Sequence, residues 1–449
     1  MPATAIQEQA LAGVDRYVAE FERFRRELPA GEPAALQALR REAIERFAKM
    51  GFPTLRQEEW RLTNVAPIVQ GTFHRPAGDP DALSPGRLAP YTFDAAARLV
   101  FVDGRFSPRL SSLGELPAGT IAASLGEVLA RDPGRVEPWL GRFARLDRNP
   151  FVALNTAFLR DGAFLYIPRG AVTGPIHLLF LSSGEEGRPT LSFPRNLFVA
   201  DESSRTTIVE TYAGEGAYFT APVTELVAGP GAVIDHYKVQ RESLGAFHMA
   251  TFQVQAERAS VPSSHSISIG GALVRNDVNA VLDGEGIDCI LNGLYFADGR
   301  QVVDNHMRVE HAKPHCASHE LYKGVLDGKS RAVFNGLIHV HKGAQKTDAK
   351  QSNRNLLLSR DAIANSNPQL EIYADDVRCT HGSTVGQLDE DAVFYLRSRG
   401  IGAEAARSLL TYAFASDIVA RIKVEPVRRD LEEFLFARLP MGEIVRQAV

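Results

Sequence analysis

Near the C-terminal end a thiol and an imidazole stand two residues apart, Cys379 and His381 in the run Arg378-Cys-Thr-His381. If Val377 to His381 is extended, residues two apart share a face, so thiol and imidazole point the same way. An inert thiol beside a surface imidazole is the plain reading of the two residues alone. Seven of the twelve histidines follow residue 305: His306, His311, His315, His319, His339, His341 and His381. His311, His315 and His319 share strand parity and could line one face as a transient soft-metal path, with Cys316 opposite. Pro314 interrupts that run, however, and ordinary solvated or hydrogen-bonded histidines account for it as well. His339 and His341 share a face opposite Val340 and read as an exposed strand face. No cysteine spacing resembles a closed zinc site, and Asp375 and Asp376 read as turn residues. The chain has no Gly-x-x-x-x-Gly-Lys-Ser/Thr phosphate loop, no Gly-x-Ser-x-Gly elbow and no His-Glu-x-x-His. It is therefore not expected to hydrolyse nucleotide by itself.

The elements that must place the thiol and imidazole can be predicted from their neighbours. Gly382 and Gly386 bracket what reads as a tight polar turn. Asp389 is the N-cap of a following helix, Glu390 and Asp391 complement its positive end, and Leu388 can staple onto Val393. Arg397 and Arg399 fall in its last turn and Gly400 stops it. Upstream, from about residue 150, helical periodicity gives way to short β-rich runs such as Ile176–Leu181, Thr206–Tyr212, Thr224–Ala228, Val233–Val239, Ile287–Phe296 and Val333–Val340. Turn residues Gly271, Gly284, Gly299, Pro314, Gly328 and Gly343 recur thirteen to fifteen apart. Two such units make about 29 residues, one coil of a β-solenoid. The run has room for nearly twenty strands, about twice what a sandwich or barrel needs to close, and no amphipathic helix accompanies it. After residue 400 helix returns: Ala406, Leu410, Phe414, Ile418 and Ile422 lie four apart, with Leu409 and Ala413 widening the stripe. Beyond Pro426, Leu431, Phe434, Leu435 and Leu439 mark a third helix, and these helices are expected to pack on the solenoid end.

At the other end of the chain, residues 4 to 28 read as one amphipathic helix on Leu11, Val14, Val18, Phe21 and Leu28, ended by Pro29 and Gly31. A second starts at Pro33 and carries Leu36, Leu39, Ala43 and Phe47, with Gly51 and Pro53 as its stop. Residues 52 to 63 are a charged, exposed turn anchored by Trp60. A Pro/Gly/Asp-rich linker runs from Pro76 to Pro90, a short strand covers 98 to 103, and 124 to 146 is irregular helix.

Composition narrows the classes. At 449 residues two or three domains are expected, and 23% charged with 45% hydrophobic residues is ordinary for a globular chain. A net charge of −4 gives no reason for a nucleic-acid or anionic-membrane partner. Three scattered cysteines, Cys289, Cys316 and Cys379, build no disulfide framework and point to a reducing compartment. No run nears the roughly 18 apolar residues of a membrane span. Glu8, Asp15 and Glu20 argue against a transit peptide. A cytoplasmic protein is expected.

The run Arg-Cys-Thr-His-Gly-Ser-Thr-Val-Gly-Gln-Leu-Asp from Arg378, followed by Val-Phe-Tyr-Leu-Arg-Ser-Arg-Gly-Ile, closely resembles the C-terminal signature of the SufB/SufD family of the SUF iron–sulfur cluster assembly system, in its SufD form. Phe52 to Thr63 also resembles a Pro-Thr-Arg-x-x-Glu-x-Trp-x-Tyr-Thr segment of SufD N-terminal regions, with Leu62 where Tyr is usual. The resemblance implies a mainly β protein, a right-handed parallel β-helix flanked by N- and C-terminal helical regions. Its expected divisions are 1–149 (helical, with linker), 150–387 (β-helix) and 388–449 (helical). It implies a non-catalytic scaffold that forms a heterodimer with a SufB-like subunit and binds a SufC-like ATPase through the C-terminal helices, here Leu410, Phe414 and Ile418. ATP would act only through that ATPase. No tightly bound cofactor is implied; His381, with Cys379 beside it, would hold a transient iron–sulfur cluster or iron at the SufB interface. A SufB-like paralogue, or a member that self-pairs as a homodimer when expressed alone, would share these features. A free-standing β-helix enzyme acting on acidic polysaccharide is the remaining alternative. It expects secretion, disulfides or calcium loops, none of which the sequence offers.

Overall fold

In the computed structural model, which describes residues 3–28, 31–184 and 187–448 and side chains from residue 13 onward, the periodic β region is a solenoid of two long sheets. Strands alternate between the sheets, so each coil contributes one to each. Leu273 pairs in parallel with Val302, and Val302 with Arg331, an offset of 29 residues both times. That is the coil length expected from the turn spacing. Later coils lengthen: Ala317 pairs with Asp348 and Asp348 with Arg378. The six strands expected from sequence all form; five are reproduced or extended, and Ile287–Phe296 is displaced by one residue to Asp288–Ala297. Inward positions interlock as one continuous core containing Ile208, Leu226, Val254, Leu282, Val309 and Phe334. Because the strand N–H and C=O groups of an inner coil pair with the coils before and after, the ladders themselves need no covering helices to satisfy them.

Several expectations shift. The strand Ala97–Val102 is already the first long-sheet member, paired in parallel with Val172–Ser182, and residue 150 opens a helix, Pro150–Ala157, rather than a strand. Asn149 caps that helix by accepting from the Phe151 N–H at 2.9 Å, a signal the β-rich texture beyond it masks. The Pro76–Pro90 stretch is a run of short 3-10 turns. At this end of the solenoid short antiparallel strands, Arg105–Phe106, Ser112–Leu113 and Ile121–Ser124, fold the ladders back.

The N-terminal helices Ala3–Arg26 and Ala34–Met50 form as expected, although the side chain of Leu11 and residue Pro29 lie outside what is described. With Pro150–Ala157 they set Val14, Phe21, Phe47 and Phe151 against Phe219, Met249 and Leu273 on the outside of the second sheet. Trp60 is buried there beneath the guanidinium of Arg275, 3.7 Å from its ring centre. The C-terminal helices Ala403–Val419 and Glu425–Arg438 do not sit on the solenoid end. They lie along the outside of the first sheet, where Ile418, Ile422, Val427 and Leu431 cover Val239, Ile267, Leu294 and Phe296. Those outward apolar strand positions required a cover, and the helices supply it. No described helix is long and apolar enough to cross a membrane.

Candidate functional site

What the helices leave uncovered is the last coil. Its two strands, Ile363–Ile372 and Arg378–Gly386, are the terminal members of the two sheets, so both ladders end here in unpaired backbone. The expected turn at Gly382 and Gly386 is absent. Arg378–Gly386 is a single strand, held straight by an unbroken parallel register with Asp348–Leu356. That register places Cys379, His381, Ser383 and Val385 beside Ala349, Gln351, Asn353 and Asn355, which are all buried and point into the solenoid. The thiol and imidazole therefore do share a face, the inner one. With no further coil above them, His381, Ser383 and Val385 are exposed. Helix Glu390–Ser398 follows, capped by Asp389 as expected, with Phe394 70% and Tyr395 57% exposed.

The two candidate ligands differ in availability. No hydrogen bond or ion pair engages the His381 ring among the described residues, which leaves both ring nitrogens to an incoming group. Cys379 is half-buried against Ala349, Val340 and Ala374, and burial raises its thiol above the ordinary range despite a hydrogen bond from the Ala349 backbone. It thus favours the neutral thiol, a poorer ligand than thiolate.

Beneath His381 the core turns polar. Gln351, its register neighbour, donates at 3.0 Å to the buried carboxyl of Glu320 one coil further in. Gly336 makes room for that amide, since a Cβ there would stand 2.3 Å from Gln351 Nε2. Asn353 donates to Tyr295 Oη at 3.1 Å, and Tyr295 in turn donates to Asn355 at 2.6 Å. Burial pushes the Glu320 carboxyl up to about 7, against the pull of the Gln351 hydrogen bond. Its value in the fold exceeds the 4.5 of a free carboxyl, so the fold favours the neutral acid. Stability is then fully present below pH 4.5 and is lost as pH rises toward 7, by about 1.4 kcal/mol per unit. Glu320→Gln is expected to melt at higher temperature than the parent at pH 8 and to match it near pH 4.5. Parallel melting curves across that window would show the carboxyl is already ionised.

The other sequence candidates do not assemble. His311 ends the strand Val302–His311, points inward, is held at Nε2 by Ser318 Oγ at 2.9 Å and is lowered to about 4 by burial. His315 sits in the following corner at φ +60, and His319 faces outward from the other sheet. They share no face because Pro314 and His315 turn the chain between sheets. Cys316 is buried and donates to the Gly284 carbonyl at 3.0 Å. On the C-terminal helix Leu410 and Phe414 remain half-exposed, but Ile418 is fully buried against the sheet, so it cannot join them on a partner-facing stripe. The helix is rotated because Ala415 and Val419 also pack inward and because Lys323 pairs with Asp417 at 2.7 Å and donates to the Phe414 carbonyl. Gln351 and Glu320 went unseen in the sequence. The coil period was the available signal: stepping back 30 and then 31 residues from His381 reaches each in turn.

A two-sheet parallel β-solenoid, closed by its own chain at one end and open at the other with a thiol and an imidazole on the open coil, defines the class. Family models agree with it along most of the chain. The model for the SUF system FeS cluster assembly SufBD core domain matches residues 180–414, and that for the SufBD protein N-terminal region matches 12–81 and 92–178. An iron–sulfur cluster assembly SufBD family protein of Synechocystis is 33% identical over 91% of this chain and 92% of its own length. The iron–sulfur cluster assembly protein SufD of Escherichia coli is 31% identical over 89% and 92%. Protein ABCI7, chloroplastic, of Arabidopsis thaliana is 30% identical over 88% and 84%. The chain belongs to the SufBD family of the SUF system for iron–sulfur cluster assembly.

Proposed function

We propose that this chain is a non-catalytic scaffold subunit of a cytoplasmic SUF assembly complex, pairing through its open coil with a SufB-like solenoid. The observation that carries the reading is the pair of free edge strands at one end. Ile363–Ile372 and Arg378–Gly386 end both sheets together, so a partner of the same architecture can extend both ladders at once, main chain to main chain. Exposed Ile363, Ile372, Tyr373 and Val385 on that coil, with Phe394 and Tyr395 beside it, supply the apolar contact that strand addition needs. His381 then lies within the junction, facing groups from the partner. A nascent cluster or iron is cargo here, and an open site of mixed imidazole and thiol character holds it less tightly than four thiolates would. A SufC-like ATPase is assigned to the C-terminal helices, with Leu410 and Phe414 the accessible part of that surface. Nucleotide binding in the ATPase would shift the junction between closed and open states through differential contacts.

Co-expression with a SufB-like and a SufC-like subunit, followed by affinity capture of this chain, tests the reading. All three are expected to co-elute. Val385→Asp is expected to release the SufB-like subunit and retain the ATPase, because a charge buried at a strand junction without a partner is strongly unfavourable. Unchanged recovery of both partners from Val385→Asp would show that pairing occurs elsewhere. Two copies of this chain could use the same edges, so the chain expressed alone is expected to form a dimer that Val385→Asp also dissociates.

A further inference from the structure

His339 and His341 lie side by side on the outer wall of the second sheet, at the end of Arg331–Val340. Val340 between them is buried, so both rings project outward. In register with His339 stand Glu310 on one neighbouring strand and Glu371 on the other. The row thus reads carboxylate, imidazole, carboxylate, with a second imidazole two residues on. His339 Nδ1 is 2.8 Å from Glu371 Oε2 and His341 Nε2 is 3.7 Å from Glu310 Oε2. The two imidazole centres are 4.6 Å apart. His341 Nε2 is shielded from solvent yet makes no hydrogen bond. All four side chains are partly exposed, from 18% for His339 to 47% for Glu371, so a hydrated ion can reach them.

We propose that Glu310, His339, His341 and Glu371 form a binding site for a first-row divalent transition metal. Among the described residues no three such side chains already converge as a metal shell; these four make two imidazole–carboxylate contacts. Glu310, His339 and Glu371 are register neighbours on parallel strands about 5 Å apart, so metal binding requires their side chains, with that of His341, to rotate inward on a fixed backbone. Partly exposed contacts of this kind are individually weak, and a dication takes the place of both. The donor set selects the metal. Two imidazoles disfavour calcium and magnesium, which take oxygen ligands. The absence of thiolate disfavours copper(I), and two imidazoles with a carboxylate suit zinc(II), cobalt(II) or iron(II). Arg308 holds Glu310 through Oε1 at 2.7 Å, which leaves Oε2 free to ligate. Arg148 contributes positive charge nearby, and so opposes metal binding. Glu371 belongs to the last coil and Val340, between the two histidines, packs in the same small cluster as Cys379, so the site lies on the outer wall of the open end, with Cys379 on the inner side. It does not depend on the scaffold reading.

Metal-stripped full-length chain, titrated with zinc(II) against a chromophoric chelator and with cobalt(II) by visible absorption, provides the test. One equivalent of zinc is expected to bind, with cobalt(II) showing ligand-field bands of a site containing imidazole. His339→Ala/His341→Ala is expected to weaken zinc binding by at least about a hundredfold with its melting curve unchanged, since both rings project outward. Glu371→Gln is expected to weaken it less. His319→Ala, which removes an outward imidazole on the other sheet, is expected to leave the affinity unaltered. A parent chain that binds no stoichiometric zinc, a double variant that binds like the parent, or loss of the equivalent in His319→Ala would each overturn the assignment.

Discussion

A complex carrying His381→Ala is expected to purify intact but to contain almost no iron or acid-labile sulfide after reconstitution. The stability side follows from exposure. His381 stands on the last coil, packs under nothing and bonds to no described side chain, so its truncation should change stability by no more than roughly 0.5 kcal/mol. The binding side follows from chemistry, because a methyl group supplies no lone pair in place of an imidazole nitrogen. Cys379→Ser is expected to be milder. The Cys379 thiol is half-buried and biased toward its neutral form, so less ligand strength is removed with it. Iron and sulfide are read beside thermal melts and partner recovery. Parent-level cluster in His381→Ala, or a defect that tracks unfolding or loss of the SufB-like subunit, would remove His381 from the ligand role.

Much of this was legible in the sequence because a solenoid is a local code. Coil after coil repeats the same strand length, so glycine and proline spacing between Gly271 and Gly343 was enough to predict the period, whereas the expected absence of covering helices is wrong: helices pack on the outer faces of both sheets, at Val239 and Leu294 and at Phe219 and Met249. Asp389 and Gly400 announced their helix by capping chemistry alone. Three features were hidden, each for a physical reason. The Gly382–Gly386 segment looks like a turn by composition, yet the ladder from Asp348–Leu356 overrides that propensity and keeps it extended. The C-terminal stripe was judged by period alone. Which side packs was decided by the exposed apolar strand faces at Val239, Ile267 and Leu294, which only the sheet reveals. Polar interior positions such as Gln351 and Asn353 resemble surface residues in a linear reading, since their partners Glu320 and Tyr295 are one and two coils away.

Glu225→Ala is expected to be among the most destabilising single changes in the chain, lowering stability by about 3–5 kcal/mol. Glu225 and Arg195 are both completely buried on the outside of the second sheet, beneath the N-terminal region. Glu225 Oε2 accepts from Arg195 Nε at 3.1 Å, while Oε1 accepts from the backbone N–H groups of Phe143 and Ala144 at 3.0 and 2.9 Å. Arg195 Nη1 donates onward to Thr156 Oγ1 at 2.9 Å on the Pro150–Ala157 helix. One carboxylate thus fastens the irregular 141–144 segment to the solenoid, and its guanidinium partner fastens the helix. Removing the carboxylate strands a buried positive charge and two buried N–H donors, each worth about 1–3 kcal/mol when left unpaired. Glu225→Gln keeps an acceptor but loses the charge, so an intermediate loss is expected. Arg195→Met/Glu225→Leu removes both charges and should therefore be less damaging than Glu225→Ala alone, even though the N–H groups stay unpaired. That ordering separates a buried-charge effect from simple loss of packing. Urea unfolding midpoints of the three variants give it, and a double variant less stable than Glu225→Ala would mean the pair's attraction, rather than the stranded charge, dominates this join.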